Sequence, residues 1–158
     1  MKKAIFSLAF ALLFVNANST KAPVTIELKS YQQIIQKDKD GKKRVVWVKP
    51  TKVVPGSIIK YVATINNSSK EVVKDASINA KIDKNLLYIP NSIESALKYS
   101  VEFSIDGKKF ADAKDLKVTG KDGKKYTAKA SDYRAIKFNI ASIPAESNNT
   151  ISYKVKVK

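Results

Sequence analysis

The sequence has no cysteine and no histidine in its 158 residues, two arginines (Arg44 and Arg134), one tryptophan (Trp47) and, beyond residue 15, no long apolar run. Without cysteine the fold is not held by disulfides and depends on its core, and neither thiol chemistry nor a cysteine metal site is available. Without histidine, the usual general base near neutral pH, the usual partner of a serine nucleophile and the usual transition-metal ligand are all missing. Readers of phosphates and bases rely on the donor fork of arginine, and no exposed aromatics are interleaved for stacking on single strands. Specific nucleic-acid binding is therefore not expected. No motif implies a cofactor.

What is present suits a globular chain: 44% hydrophobic and 28% charged residues, enough for a single core. The first 17 residues read as a secretory signal peptide, with Lys2 and Lys3, an apolar run from Ala4 to Val15, then the small and polar residues of NANST. That run is 12 residues long, short of the roughly 20 that cross a hydrocarbon core, so an uncleaved anchor is the weaker reading. Val15 and Ala17 fit a cut after Ala17, and a cut after Ser19 fits nearly as well. The expectation is one exported domain over residues 18–158 in the periplasm or cell exterior of a bacterium, with no transmembrane segment after processing.

Along that domain the apolar residues recur at period two, which predicts strands. Val24, Ile26 and Leu28 open a first strand that runs on through Tyr31 to Ile35, and Val45 and Trp47 follow a charged turn. Ile59, Tyr61, Ala63 and Ile65 share a face against Lys60, Thr64 and Asn66, with Val62 breaking the alternation. Further sets are Ile78, Ala80 and Ile82; Val101, Phe103 and Ile105; and Ile136, Phe138 and Ile140. In the last strand Ile151, Tyr153, Val155 and Val157 face inward and Ser152, Lys154, Lys156 and Lys158 face water. Trp47 is expected in the core or at its rim, with a ligand platform as the alternative, and Tyr61, Tyr99, Tyr133 and Tyr153 are expected to be packing residues.

The tetrad Asp-Gly-Lys-Lys occurs at Asp40–Lys43, Asp106–Lys109 and Asp122–Lys125 and predicts tight turns, since Asp-Gly tolerates positive φ. Asp38, Asp40 and Gly41 resemble part of a calcium loop, but the later ligands and closing glutamate are absent. Pro50, Pro55, Pro90 and Pro144 mark strand boundaries. Residues 91–97 are the one stretch suited to a helical turn. Asn67-Ser68-Ser69 matches a glycosylation acceptor, with turn formation the better account. Nothing in the spacing of Ser57, Lys60 and Ser131 brings them together as a serine-lysine hydrolase. Strands spaced by turns, without helical crossovers, predict an all-β immunoglobulin-like Greek-key β-sandwich, with a barrel as the alternative.

Several segments together resemble a known family: Lys52–Tyr61 (KVVPGSIIKY), Ala63–Ser69 (ATINNSS), Leu86–Ser92 (LLYIPNS), Ser100–Lys109 (SVEFSIDGKK), Asp132–Tyr133 and Ile143–Val155 (IPAESNNTISYKV). They are similar, in order as well as in kind, to the conserved-repeat domain of bacterial envelope proteins, a domain of unknown function, number eleven in that series. The resemblance spans residues 45–158. It implies an immunoglobulin-like sandwich serving as a spacer, packing or adhesion module, with no catalytic residues to carry over. The family often occurs in tandem arrays, whereas one copy is read here and no anchor follows Lys158, which favours a small soluble protein over a stalk.

Charge is the remaining signal. Setting aside Lys2 and Lys3 takes the net excess from +16 to +14, enough for a long-range positive potential. Either lysines coat the outward faces and protect strand edges, or they bind an anionic envelope polymer, with Lys42, Lys43, Arg44, Lys154, Lys156 and Lys158 as the candidate contacts. The expected function is an exported, non-catalytic structural or protein-interaction module of the bacterial envelope, whose partner is an envelope protein or an anionic polymer. The alternative is a basic protein that binds a polyanion or a membrane surface. A carboxylate-only enzyme stands third, because it needs two carboxyl groups about 5 to 10 Å apart in a cleft and half of the acidic residues fall in or beside turns.

Overall fold

The computed structural model describes residues 24–158 together with a two-residue strand at Leu13–Phe14; the expected signal peptide otherwise lies outside the described residues. The strands are β1 (Leu13–Phe14), β2 (Val24–Lys37), β3 (Lys43–Val48), β4 (Ile58–Asn67), β5 (Val73–Lys81) and β6 (Leu86–Tyr88). They continue with β7 (Glu94–Ser95), β8 (Tyr99–Ser104), β9 (Lys117–Thr119), β10 (Lys125–Thr127), β11 (Ala135–Ile143) and β12 (Ser147–Val157). The chain is all-β. Among the described residues the one helical element is a 3-10 turn at Ala130–Asp132, and no helix is long and apolar enough to cross a membrane.

Two antiparallel sheets form, one in the order β3-β2-β4-β12-β6 with β7 also on β12, the other in the order β1-β5-β11-β8, while β9 and β10 make a separate ribbon. The alternation in the sequence explains how they face each other. Val24, Ile26 and Leu28 lie opposite Asn67, Ile65 and Ala63 of β4, and Ala63, Tyr61 and Ile59 lie opposite Ile151, Tyr153 and Val155 of β12. All of these except Asn67 belong to one core cluster or pack against it. From the other sheet come Ala76 and Ile78 of β5, Ile136, Phe138 and Ile140 of β11, and Phe103 of β8. Aromatic rings join the two sheets: Tyr88 of β6 lies 5.3 Å from Phe103, which stacks on Tyr133 at 4.3 Å, and Phe138 lies 5.9 Å from Tyr153. This is the face-to-face packing of a β-sandwich. Burial pushes the Tyr88 hydroxyl up to about 12, with Tyr99 adding to the effect, and raises that of Tyr153 further.

Among the described residues four connections cross from sheet to sheet: β4 into β5, β5 into β6, β7 into β8, and β11 into β12. The last lies between the first and the third. Two of the crossings are fastened by Asn67, which is fully buried. Its Nδ2 donates to the carbonyls of Glu71 (2.8 Å) and Pro144 (2.9 Å), and its Oδ1 accepts from the Ser69 hydroxyl (2.8 Å) and amide (3.1 Å). The glycosylation reading of Asn67 is thus excluded on the folded chain, and the turn reading holds.

The three Asp-Gly tetrads are turns, with φ of 77°, 75° and 75° at Gly41, Gly107 and Gly123, a region that side-chain-bearing residues avoid. The first closes β2 onto β3 and the third closes β9 onto β10. The second leads only to a single bridge between Phe103 and Ala111. The amides of Lys109 and Lys108 and the Ser104 hydroxyl hold the Asp106 carboxyl down at about 2. Pro50, Pro55, Pro90 and Pro144 lie between strands as expected.

Three expectations are corrected. Residues 91–97 form no helical turn: Asn91 has a φ of 58°, and the Ser92 hydroxyl donates to Ile89 O (2.6 Å) and accepts from Lys154 N (2.9 Å), holding the segment extended beside β12. Trp47 is absent from the core cluster, because its register partner is Gln33 on the outward face of β2. Tyr99 is exposed at the start of the edge strand β8, while Tyr61, Tyr133 and Tyr153 pack inside or against the core.

Candidate interaction surface

β2 is longer than the sheet it belongs to. It pairs with β4 from Val24 to Gln32 and with β3 from Gln32 to Lys37, so the β2–β3 hairpin projects past the end of β4 as a two-stranded arm. The arm forms because both strands are rich in β-branched residues, and its tip is the Asp38–Lys42 loop. There Asp38 N donates to Lys42 O (2.9 Å), Gly41 N donates to Asp38 O (3.0 Å), and Asp38 Oδ1 accepts from Lys42 N (2.8 Å). The side chain of Gln32 ties the base of the arm to Lys52 O (2.9 Å).

One face of the arm reads, from base to tip, Gln33 opposite Trp47, Ile35 opposite Val45 and Lys37 opposite Lys43. Ile35 is 64% exposed and Val45 57%, which for a directly opposed β-branched pair is a large area left in water. Lys37 and Lys43 are both exposed, and neither has a carboxylate within ion-pair distance among the described residues. Like charges directly opposed across a ladder destabilise it.

The same face continues onto the six-stranded sheet. Lys60 and Lys154 are opposite one another on β4 and β12. Here the repulsion is relieved, because β7 pairs with β12 and brings Glu94 to both ammonium groups, at 2.7 Å and 3.0 Å. Those two hydrogen bonds, that from Lys60 first, hold the Glu94 carboxyl below the usual range. Both ammonium groups also lie 5.7 Å from the centre of the Trp47 ring, a cation–π arrangement on each. Trp47 is therefore a half-buried cover on the outside of the sheet.

The six candidate basic residues divide accordingly. Lys43, Lys154 and Lys156 share the outward face, with Lys154 engaged by Glu94 and Lys156 exposed beyond it. Lys158, at the end of β12, donates to Lys84 O. Lys42 belongs to the tip loop, and Arg44, on the arm's opposite face with Gln36, lies 3.7 Å from Asp38. The structure does not gather all six into one patch. The sequence predicts the strand to Ile35, the turn and the strand from Val45, but not that the hairpin projects past β4; the apolar doublets Ile34-Ile35 and Val45-Val46 leave neither face wholly polar.

Elsewhere, a recess of about 440 Å³ lies between β5, β8 and β11, lined among others by Asp75, Lys98, Tyr99 and Asn139. Among the described residues Asp75 is the one carboxylate in its lining. Among the described residues no three His, Cys, Asp or Glu side chains come together as metal ligands. Ser57 accepts from Val54 N, Lys60 is held by Glu94, and Ser131 sits in the 3-10 turn, so these three do not form a site. Comparison of the chain with protein-family models, with curated proteins and with solved structures found no match.

Proposed function

We propose that this chain is an exported, non-catalytic interaction module of the bacterial cell envelope, cut after Ala17 or Ser19. The observation that carries the reading is the projecting β2–β3 arm, which sets an exposed apolar pair and a basic tip outside the sandwich, where no contact among the described residues explains them. The use of the carboxylates also supports it. Asp38, Asp106 and Asp122 cap turns, Asp132 caps the 3-10 turn, and Glu94 and Glu102 neutralise lysines. A carboxylate-only enzyme would need two such groups free and facing one cleft.

The fold that goes with this reading is an immunoglobulin-like Greek-key sandwich, supported by the repeated crossings between sheets. The resemblance to the envelope conserved-repeat domain is supported by what its segments do. VPG opens β4, the Asn-rich turn holds Asn67, and the IPNS stretch anchors to β12 through Ser92. A second reading, attraction to an anionic polymer or membrane surface, is favoured by the unrelieved Lys37–Lys43 pair and the net charge.

Expression of the full chain in a bacterium, followed by fractionation and mass spectrometry, should find a chain beginning at Asn18 or Thr20 in the periplasmic, envelope or secreted fraction. A full-length cytoplasmic chain would overturn the proposal.

A further inference from the structure

We infer that the free edge of β3 is a docking strand for an extended, acidic segment of another protein, which adds to the six-stranded sheet beyond β3. The inference rests on the interaction-module reading and names its contact surface and partner chemistry.

β3 is the terminal strand of its sheet. The Asp38 N–H to Lys42 O bond fixes the phase of the hairpin ladder, since paired residues alternate between bonded and non-bonded positions. Arg44, Val46 and Val48 accordingly exchange backbone bonds with β2, and Lys43, Val45 and Trp47 direct their N–H and C=O groups away from it. No described residue meets them there. Proteins usually blunt such an edge with proline, a bulge or an inward-pointing charge. β3 has no proline or bulge, and the lysine that commonly guards an edge stands only at its tip end, as Lys43 beside Arg44, while the other four residues, Val45 to Val48, are apolar.

Charge selects the occupant. Lys37, Lys39, Lys42, Lys43 and Arg44 surround the tip end of the edge against Asp38 and Asp40 alone, and Asp38 is already used by the turn and by Arg44. A strand laid beside β3 with acidic residues near Lys43 and Arg44 and β-branched residues near Val45 and Val46 would relieve the Lys37–Lys43 repulsion. It would also cover the exposed Ile35–Val45 pair. A second copy of this chain carries the same sign of charge and fits poorly. A bilayer would have to accept the charged tip beside only two exposed apolar side chains.

Trp47, the sole tryptophan, lies on the docking strand and reports on it. The probe is a short capped peptide that begins with glutamates and continues with alternating valine and threonine, titrated into the purified chain while Trp47 emission is followed. Saturation below about 1 mM is expected. Val45→Pro removes an outward N–H without breaking a hairpin bond, and should weaken binding at least about tenfold with circular dichroism unchanged. Should that variant unfold, Lys43→Glu tests the same point by shifting preference toward the peptide with lysines in place of glutamates. The inference is overturned by absence of saturation, by equal binding to a folded Val45→Pro variant, or by binding only to phosphatidylglycerol vesicles. Dimer formation by the chain alone, seen in sedimentation, overturns it too. Because the assay does not depend on compartment, its failure is separate from failure of the export test.

Discussion

At the scale of single residues, one buried side chain fastens the corners of the sandwich. Asn67 satisfies carbonyl groups of Glu71 and Pro144, which are separated by about half of the domain in sequence, and accepts from Ser69 in return. A buried polar group is stabilising only while its partners are present, and removing it leaves those partners desolvated without a bond. Asn67→Ala should therefore lower stability by about 2 to 3 kcal/mol in denaturant unfolding, while Asn66→Ala, exposed on the same strand, should change it by less than about 0.5 kcal/mol. Equal effects would show that the bonds at Asn67 are not what holds the corner. The role was only half legible in the sequence. An Asn-Asn-Ser-Ser run reads as a turn, but nothing local says that Ile143 and Pro144 pass beside it.

Whole elements were legible where one face of a strand is buried and the other wet. The sets ending in Ile65, Ile140 and Val157 lie inside as their alternation says, because a one-residue slip would turn every side chain outward. The facing of the arm's side chains was opaque for the same reason. With Ile34 and Ile35 adjacent, and Val45 and Val46 adjacent, period two assigns no face, and Trp47 takes its side from register with Gln33. The expected helical turn at residues 91–97 failed because Ser92 is held by β12, a contact invisible to local pattern. The difference between core and cover has a measurable consequence. Phe138 is 2% exposed between the sheets, so Phe138→Ala should cost about 3 to 5 kcal/mol. Trp47→Ala, which loses a half-buried cover and two cation–π contacts, should cost about 1 to 2 kcal/mol. Unfolding followed by circular dichroism compares the two. A Trp47 loss as large as that of Phe138 would place the ring in the core after all.

For the molecule as a whole, the question is whether the +16 excess is mechanism or coat. Lysines occur on every side: Lys29 on the outward face of β2, Lys74 and Lys81 on β5, Lys108 and Lys109 on a turn, Lys125 on the β9–β10 ribbon. A dispersed coat attracts any polyanion through its summed field, whereas a site depends on where the charges stand. Binding to polyphosphate should then weaken steeply between about 50 and 200 mM salt by counterion release. Neutralising Lys42, Lys43 and Arg44 together should reduce it no more than neutralising Lys108, Lys109 and Lys125. Docking of a strand at β3 should respond differently, because its backbone bonds are insensitive to salt and only the contacts near Lys43 and Arg44 are screened. Polyphosphate binding that survives about 150 mM salt and is lost with one cluster alone would make charge the mechanism, and the polyanion reading would replace the arm as the chain's contact surface.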